Sequence, residues 1–298
     1  METQKRKGII LAGGTGSRLY PVTKALSKQL MPVYDKPMIY YPLCTLMLAG
    51  IREFLIITTP KDKDAFENLL GNGSKWGIDI NYKIQNKPDG IANALILGED
   101  FLNNSPSALI LGDNLFHGEN LGKNLEYANK DTENSTVFAY KVSDPERYGV
   151  LEFNQNGEIA SIEEKPKNPK TKYAITGLYF YDNDAPKKCK TLKTSKRGEL
   201  EITDLNKLYL QEKKLKVSII GRGMTWLDTG TFDSLHQASS FIRTLEKRQG
   251  QKVCSPEEIS WRLNLISNSD LKNLAKAQQK SGYGKYLLDL LNDKSHFL

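Results

Sequence analysis

Short apolar runs alternate with segments of helical pattern through the first half of the chain. The runs are typical of strands buried on both faces of a sheet. They lie at Gly8–Leu11, Phe54–Ile57 and Ala108–Leu111, with an alternating strand at Asp79–Gln85. Helices are predicted at Pro37–Ala49, Lys61–Leu70 and Ile91–Leu102. This order predicts an α/β fold with a Rossmann-like, mostly parallel sheet flanked by helices on both faces.

The pattern changes between about residues 136 and 198, where strands follow one another without intervening helices. They are expected at 137–140, 149–153, 158–164 and 173–181. The turn Asn154–Gly157 joins two of them as a hairpin. We therefore expect an antiparallel lobe, at about 136–198, inserted into the α/β core.

The remainder of the chain is mainly helical. A helix at Glu199–Gln211, a strand at Val217–Ile220 and a loop at Met224–Gly230 precede helices from Thr231 to Leu298, broken near Gly250 and at Gly282. We expect a core at 1–240, which includes the antiparallel lobe, and a C-terminal helical extension at 241–298. No low-complexity tract or flexible linker separates them, so the two parts should pack as one body.

Composition and charge are typical of a soluble cytoplasmic protein. Of the 298 residues, 39% are hydrophobic, yet no apolar run approaches the length of a membrane span. The net charge of +7 comes from lysines and arginines interleaved with acids, without a nucleic-acid-binding signature. The three cysteines and three histidines are scattered and show no metal-ligand spacing. We expect reduced thiols, no membrane segment, no nucleic-acid partner and no zinc site.

The strongest single motif is the glycine loop Leu11–Leu19, LAGGTGSRL, which directly follows the first predicted strand. Its glycines allow backbone N–H groups to approach a phosphate, and Arg18 adds a permanently charged donor. The loop is not a Walker A motif, because no Gly-Lys-Ser/Thr sequence ends it, and Leu19 stands where a dinucleotide fingerprint needs its third glycine. The motif predicts a phosphate site, with an ordinary strand-to-helix turn as the alternative.

Further polar side chains are candidates for the same site. Asp113 follows the strand at 108–111, and ligands of open α/β sheets bind beyond the carboxyl ends of strands. Together with Asp228, it suits Mg²⁺, which prefers oxygen ligands and shares them with substrate phosphates. Gly-Asp-Asn is also ordinary turn chemistry. Lys28, shortly after the glycine loop, is either a phosphate ligand or a solvated surface lysine.

A second set of candidates lies in the antiparallel lobe. Glu164 suits sugar hydroxyls and Lys165 suits a phosphate, although the two residues taken alone favour a charged turn. Tyr148-Gly149 and Thr176-Gly177 each combine close backbone approach with a polar side chain.

These motifs are parts of a longer pattern that covers nearly the whole chain. The pattern includes GIILAGGTGSRLYP, PDGIANA, LGDNLFHG, DPERYGV, EEKP, YAITGLYFYD, RGELEITDLN and GRGMTWLDTGT. The sequence resembles the glucose-1-phosphate thymidylyltransferase family of the sugar nucleotidyltransferase superfamily, in which these stretches occur in the same order. The resemblance implies a Mg²⁺-dependent enzyme that joins dTTP to α-D-glucose 1-phosphate and releases pyrophosphate, the first step of dTDP-sugar (dTDP-rhamnose type) biosynthesis.

The resemblance also implies roles for individual residues. It implies that the nucleotide is bound by Leu11, Gly13, Gly14, Gly16, Arg18, Lys28, Gln29, Gln85, Gly90 and Asp113. Around the sugar and its phosphate it implies Tyr148, Gly149, Glu164, Lys165, Gly177, Arg197 and Trp226, which makes the antiparallel lobe a sugar-binding lobe. Asp113 and Asp228 would bind Mg²⁺, and the catalytic set would be Arg18, Lys28, Asp113, Lys165 and Asp228.

The chemistry accounts for this choice of residues. The attacking group is an oxygen of the sugar phosphate, which is already an anion near neutral pH and needs no general base. Two anions must instead be brought together, and that requires cations and positioning.

Some alternatives stay open. Asn93 and the turn Gln85–Gly90 depart from the family pattern near the base, which leaves UTP as an alternative to dTTP. ATP, GTP or another hexose are further variants, and a non-catalytic nucleotide-sensing subunit is a competing class. The C-terminal extension resembles a part of the family that builds a homotetramer and a regulatory nucleotide site. Arg222, Glu258 and Arg262 are the candidates there, with simple helix packing as the alternative.

Overall fold

Thirteen strands and eleven helices are assigned among residues 5–292, the part of the chain that the computed structural model describes. The strands are β1 Lys7–Leu11, β2 Pro32–Val33, β3 Lys36–Pro37, β4 Glu53–Thr58, β5 Asp79–Ile84, β6 Ser107–Leu111, β7 Asn114–Gly118, β8 Ser135–Lys141, β9 Gly149–Phe153, β10 Ile159–Glu164, β11 Tyr173–Tyr181, β12 Leu215–Ile220 and β13 Met224–Asp228. The helices are α1 Tyr40–Leu48, α2 Lys63–Leu70, α3 Asn93–Leu97, α4 Glu99–Leu102, α5 Leu121–Lys130, α6 Ala185–Cys189, α7 Ile202–Gln211, α8 Phe232–Gln249, α9 Pro256–Arg262, α10 Asn268–Ala277 and α11 Gly282–Asn292. The helix predicted beyond residue 292 lies outside the described residues.

The centre of the fold is a parallel sheet in the order β6-β1-β4-β5. Successive residues of its strands enter two different cores. Ile9, Leu55 and Leu109 pack on the side that contains α3, α6 and α7. Ile10 and Ile56 belong to the opposite core, with α1 and α5. Burial on both faces explains why these strands are continuous apolar runs, and the predicted α/β class is confirmed.

The antiparallel strands extend this same sheet. Strand β11 pairs antiparallel with β6, and β8 and β9 pair with β11. Together with β10 and β12 they complete a nine-stranded sheet within residues 5–292. The register of β11 against β8 shifts between Ile175 and Tyr179, and Gly177 lies in that irregularity. The shift matters for the site below, because it turns β11 from one set of neighbours to another.

Two local predictions were wrong. Met224–Gly230, predicted as a loop, contains β13, which pairs antiparallel with β7. The partner strand β7 is distant in sequence, so the residues of β13 itself give little indication of a strand. Met224 and Trp226 are buried at alternate positions, and this is the only strand-like feature of the segment. The helix predicted at Ile91–Leu102 is divided into α3 and α4 at Gly98, which packs against Ile9 of β1; a Cβ at Gly98 would lie 2.7 Å from Cδ1 of Ile9.

The C-terminal helices attach to the core through α8, which contacts β13, and through α9, which packs against α1. A capping box between Thr231 and Ser234 begins this helix, and Gly250 with φ 70° ends it. The helix crosses residue 241, the expected boundary of the C-terminal extension. Beyond it, α10 and α11 form a small core of their own around Leu271 and Leu287. None of the helices within residues 5–292 combines the length and apolar character needed to cross a bilayer.

Candidate active site

The glycine loop follows β1 at the carboxyl edge of the parallel sheet. Gly14 has φ 109° and Gly16 has φ 58°, conformations that favour glycine. The hydroxyl of Thr23 donates to the Gly16 carbonyl at 2.9 Å and holds the loop in shape. Within the described residues, the backbone N–H groups of 13–17 have no acceptor, and the exposed Arg18 forms no ion pair. The loop therefore presents unpaired donors to an anion.

A cavity of about 330 Å³ lies beside this loop, and we call it the glycine-loop pocket. Gly13, Gly14, Gly16, Arg18, Lys28, Gln29 and Asp113 are among the residues that line it. Gln85 lies next to it, since a Cβ at Gly13 would lie 2.7 Å from Oε1 of Gln85. Gly90 lines neither this cavity nor the one described below. It packs against Leu200, whose carbonyl oxygen would lie 2.3 Å from a Cβ at Gly90.

Lys28 and Asp113 form an ion pair at the inner end of the glycine-loop pocket. Nζ of Lys28 donates to Oδ2 of Asp113, and Nδ2 of Asn114 donates to Oδ1 at 2.9 Å. Burial opposes ionisation of Asp113, but the charge and hydrogen bond of Lys28 outweigh it and lower the pKa of that carboxyl below its ordinary value. Asp113 is therefore an anion at neutral pH.

The second predicted carboxylate, Asp228, ends β13 and is opposite Asn114 in the register with β7. Its Oδ2 accepts a hydrogen bond of 3.0 Å from Nη2 of Arg147. Burial, assisted by the like charge of Asp113, raises the pKa of Asp228 above its ordinary value despite the attraction of Arg147. The strand pairing thus brings the two predicted metal ligands close enough to influence each other.

Asn114 connects the two carboxylates to the antiparallel strands. Its Oδ1 accepts hydrogen bonds from Nε1 of Trp226 at 2.6 Å and from the backbone of Gly177 at 3.1 Å. No side chain fits at Gly177, because a Cβ there would lie 2.6 Å from Oδ1 of Asn114. From the sequence, Asn114 was predicted only as a turn residue. Its position beside Asp113 was the one available signal.

A second cavity, of about 220 Å³, lies between these residues and the antiparallel strands, and we call it the inner pocket. The predicted sugar-binding residues line it together: Tyr148, Gly149, Glu164, Lys165, Gly177, Arg197 and Trp226. The rings of Tyr148 and Trp226 meet edge to face, with centroids 5.1 Å apart. The structure thus gathers into one cavity residues that come from β9, β10, β11 and β13, from the loops beside β9 and β10, and from the segment between α6 and α7.

Charged groups are paired along one wall of the inner pocket. Thr203 donates its hydroxyl to Oε2 of Glu164 at 2.5 Å, which fixes that carboxylate. Arg197 makes its shortest ion pair with Glu201, at 2.9 Å. Lys165 has φ 46°, unusual for a residue with a side chain, and its N–H donates to the Tyr148 carbonyl at 2.9 Å. Thr203 and Glu201 also line the pocket, and neither was predicted as a site residue.

The two pockets meet. Arg18, Asp113 and Glu199 line both of them. A molecule in either pocket therefore faces the same arginine and the same two carboxylates.

The three candidates in the C-terminal region are only partly brought together. Nε of Arg262 donates to Oε1 of Glu258 at 2.8 Å, and Tyr286 also contacts Glu258, with 2.5 Å between its hydroxyl and Oε2. Arg222 is exposed in the turn between β12 and β13, and no hydrogen bond or ion pair joins it to the other two. Their regulatory role stays a prediction.

The fold and the phosphate-suited loop with its neighbouring carboxylates define a class that acts on nucleotides. Residues 7–244 match the family model described as nucleotidyl transferase. The chain therefore belongs to the nucleotidyl transferase family.

Individual relatives within that family have a more specific assignment. The chain is 55% identical to glucose-1-phosphate thymidylyltransferase of Neisseria meningitidis serogroup A, over 96% of this chain and 99% of that protein. It is 53% identical to the glucose-1-phosphate thymidylyltransferase of Mycobacterium tuberculosis, over the same shares. The resemblance inferred from the sequence is confirmed.

Solved structures agree with this placement. A Bacillus anthracis protein assigned as a glucose-1-phosphate thymidylyltransferase, solved with sucrose, matches with a TM-score of 0.73 and 44% identity, over 80% of this chain and 95% of that chain. A UDP-glucose pyrophosphorylase complexed with UDP-glucose matches with a TM-score of 0.69 and 25% identity, over 81% of this chain and 99% of that chain.

Proposed function

We propose that this chain transfers a thymidylyl group from dTTP to α-D-glucose 1-phosphate, giving dTDP-glucose and pyrophosphate. The observation that carries the proposal is the meeting of two pockets at Arg18 and Asp113. One pocket offers unpaired backbone donors suited to a triphosphate, and the other offers the paired polar groups and aromatic rings typical of a sugar site. The names of the relatives in N. meningitidis and M. tuberculosis support the same reaction.

In this proposal the triphosphate occupies the glycine-loop pocket and glucose 1-phosphate occupies the inner pocket. Arg18 and Lys28 would neutralise the triphosphate, while Lys165 and Arg197 would face the sugar phosphate. Leu11 and Gln29 would lie near the nucleoside, and Gln85 and Gly90 near the base. Glu164, held by Thr203, would accept hydrogen bonds from sugar hydroxyls.

The protein's part in the reaction is positioning and charge. An oxygen of the sugar phosphate attacks the α-phosphorus of dTTP in line, and the bond to pyrophosphate breaks. The attacking oxygen is already anionic, so no side chain has to remove a proton from it. No histidine lines either pocket among the described residues, in keeping with that chemistry. Arg18, which lines both pockets, would balance charge on both reactants.

The carboxylates of Asp113 and Asp228 fit Mg²⁺. Asp113 and Asp228 supply carboxylate oxygens, which this ion prefers, and substrate phosphates usually complete its sphere. The described residues contain no cluster of three or more His, Cys, Asp or Glu side chains. When bound there, Mg²⁺ would act as a Lewis acid that stabilises charge on the transferring phosphoryl group.

The test is pyrophosphate release with Mg²⁺ and glucose 1-phosphate, across dTTP, UTP, ATP, GTP and CTP. We expect strong release with dTTP. UTP at a comparable rate would indicate a relaxed base pocket, an alternative favoured by the structural match to a UDP-glucose pyrophosphorylase. No release with any triphosphate or sugar phosphate, from folded protein that still binds nucleotide, would overturn the proposal in favour of a nucleotide-sensing subunit.

The setting of the enzyme is part of the proposal. We place it in the cytoplasm, as a homotetramer, at the first step of dTDP-sugar biosynthesis of the dTDP-rhamnose type. The C-terminal helices would carry the oligomeric contacts and a regulatory nucleotide site at Arg222, Glu258 and Arg262.

A further inference from the structure

Arg147 occupies the inner pocket although no role follows for it from the proposed chemistry. It ends the short 3-10 helix Pro145–Arg147 before β9 and lines the pocket. Its Nη1 donates to Oδ2 of Asp144 at 2.7 Å, and its Nη2 donates to Oδ2 of Asp228 at 3.0 Å. The guanidinium carbon lies 5.2 Å from the centre of the Tyr148 ring. Asp144 and the Tyr148 ring thus hold the guanidinium group in place, and its Nη2 contacts Asp228.

The neighbouring carboxylate, Asp113, also forms an ion pair with a basic side chain. Asp113 is paired with Lys28, and Asp228 is paired with Arg147. Each carboxylate that is suited to a divalent cation therefore already holds one side-chain cation of charge +1. A divalent ion carries the combined charge of the two side chains, so the charge on the carboxylates would stay balanced if the ion replaced both of them.

We propose that Arg147 is the resident counter-ion of Asp228 and that a divalent cation displaces it to reach this carboxylate; the inference rests on the proposed function. The pair with Asp228 is partly exposed, with side-chain accessibilities of 37% and 23%, and such pairs contribute little free energy. Displacing Arg147 from Asp228 should therefore require little free energy. Asp144 and the Tyr148 ring keep the guanidinium at the pocket after its exchange, and Nη2 is then free to bind an anion there.

The test measures metal binding directly, in the absence of nucleotide and sugar. Nucleotide-free protein is titrated with Mn²⁺, and free Mn²⁺ is followed by its solution EPR signal. We expect Arg147→Gln to bind Mn²⁺ about fivefold more tightly than the wild type, because the metal no longer has to break a partly exposed ion pair. Arg197→Gln is the matched control. It removes the same charge from the same pocket but has no bond to Asp228, and its Mn²⁺ affinity should change by less than about twofold.

The double variant Arg147→Gln/Asp228→Asn separates a local exchange from a general effect of charge. We expect the gain in affinity to disappear in it, since the gain should act through Asp228. Equal or weaker Mn²⁺ binding by Arg147→Gln, an equal gain in Arg197→Gln, or a gain that persists in the double variant would each overturn the inference. Failure of the proposed function would appear separately, as absent pyrophosphate release by the wild type, whatever the titration gives.

Discussion

The glycine-loop pocket and the inner pocket are built by different means. The first is mainly backbone: a continuous loop with glycines in conformations closed to most residues and N–H groups left unpaired. The second is mainly side chains, tied to one another by bonds such as Thr203 to Glu164 and Trp226 to Asn114. The two approaches suit their proposed occupants. A triphosphate offers many equivalent oxygens to repeated N–H groups, whereas a sugar requires hydroxyls to be distinguished one at a time.

The difference has a consequence for mutation. The glycine-loop pocket should be sensitive to backbone conformation, and the inner pocket to the loss of particular polar atoms. Substitutions at their junction should affect both substrates, and substitutions elsewhere should affect one of them.

The junction residue Asp113 should give the largest effect. Asp113→Asn removes a carboxylate suited to a metal and the partner of Lys28, and we expect kcat to fall by about 1000-fold with the fold retained. Pyrophosphate release measures activity, and thermal unfolding checks the fold. Asp79→Asn changes an exposed carboxylate outside both pockets and should leave activity unaltered. Normal Mg²⁺-dependent turnover by Asp113→Asn would refute the assignment of this residue to the metal.

Lys165 tests whether the inner pocket serves one substrate. We expect Lys165→Ala to lower kcat/KM for glucose 1-phosphate by about 100-fold, because a cation facing the phosphate is lost, and to leave dTTP binding within about threefold. Steady-state kinetics gives the first quantity and calorimetry the second. Lys167→Ala removes an exposed lysine outside the pocket as control. Equal losses for both substrates would remove Lys165 from the sugar side.

A pair of glycine substitutions compares the two means of construction. Gly14 has open space around it but φ 109°, so Gly14→Ala should distort the loop and raise KM for dTTP by roughly 30-fold. Gly177 lacks space, so Gly177→Ala should displace Asn114 and lower kcat/KM for glucose 1-phosphate by a similar factor. Gly122→Ala, a substitution into open space on α5, is the control. The comparison fails if both variants impair the use of the same substrate, as judged from KM for dTTP and kcat/KM for glucose 1-phosphate.

The smallest effect is expected at Thr203. Thr203→Val removes the hydroxyl that donates to Glu164, at a cost of about 1 kcal/mol, which corresponds to about a fivefold lower kcat/KM for glucose 1-phosphate. Thr203→Ser keeps the hydroxyl and should retain most of the activity. If valine and serine behave alike, the hydrogen bond does not orient Glu164.

Much of the fold was predictable from local pattern. The strands at 149–153 and 173–181 have the predicted bounds, and the buried runs of β1, β4 and β6 were found to within one residue. Burial on one or both faces leaves a pattern in consecutive residues, so these elements can be recognised without knowing their partners. By contrast, β13 and Asn114 were missed because their roles depend on contacts with distant parts of the chain.

The amino-acid sequence by itself determined the strands of the nine-stranded sheet, most of the helices and the glycine loop, since each follows from the chemistry of neighbouring residues. Only the tertiary structure decided which side chains face one another. Asp113 meets Asp228 because β7 pairs with β13, and Gly177 meets Asn114 because β11 changes neighbours at its irregular register. Burial of one face constrains the register of a strand, but a short stretch of residues does not specify which distant strand becomes its partner.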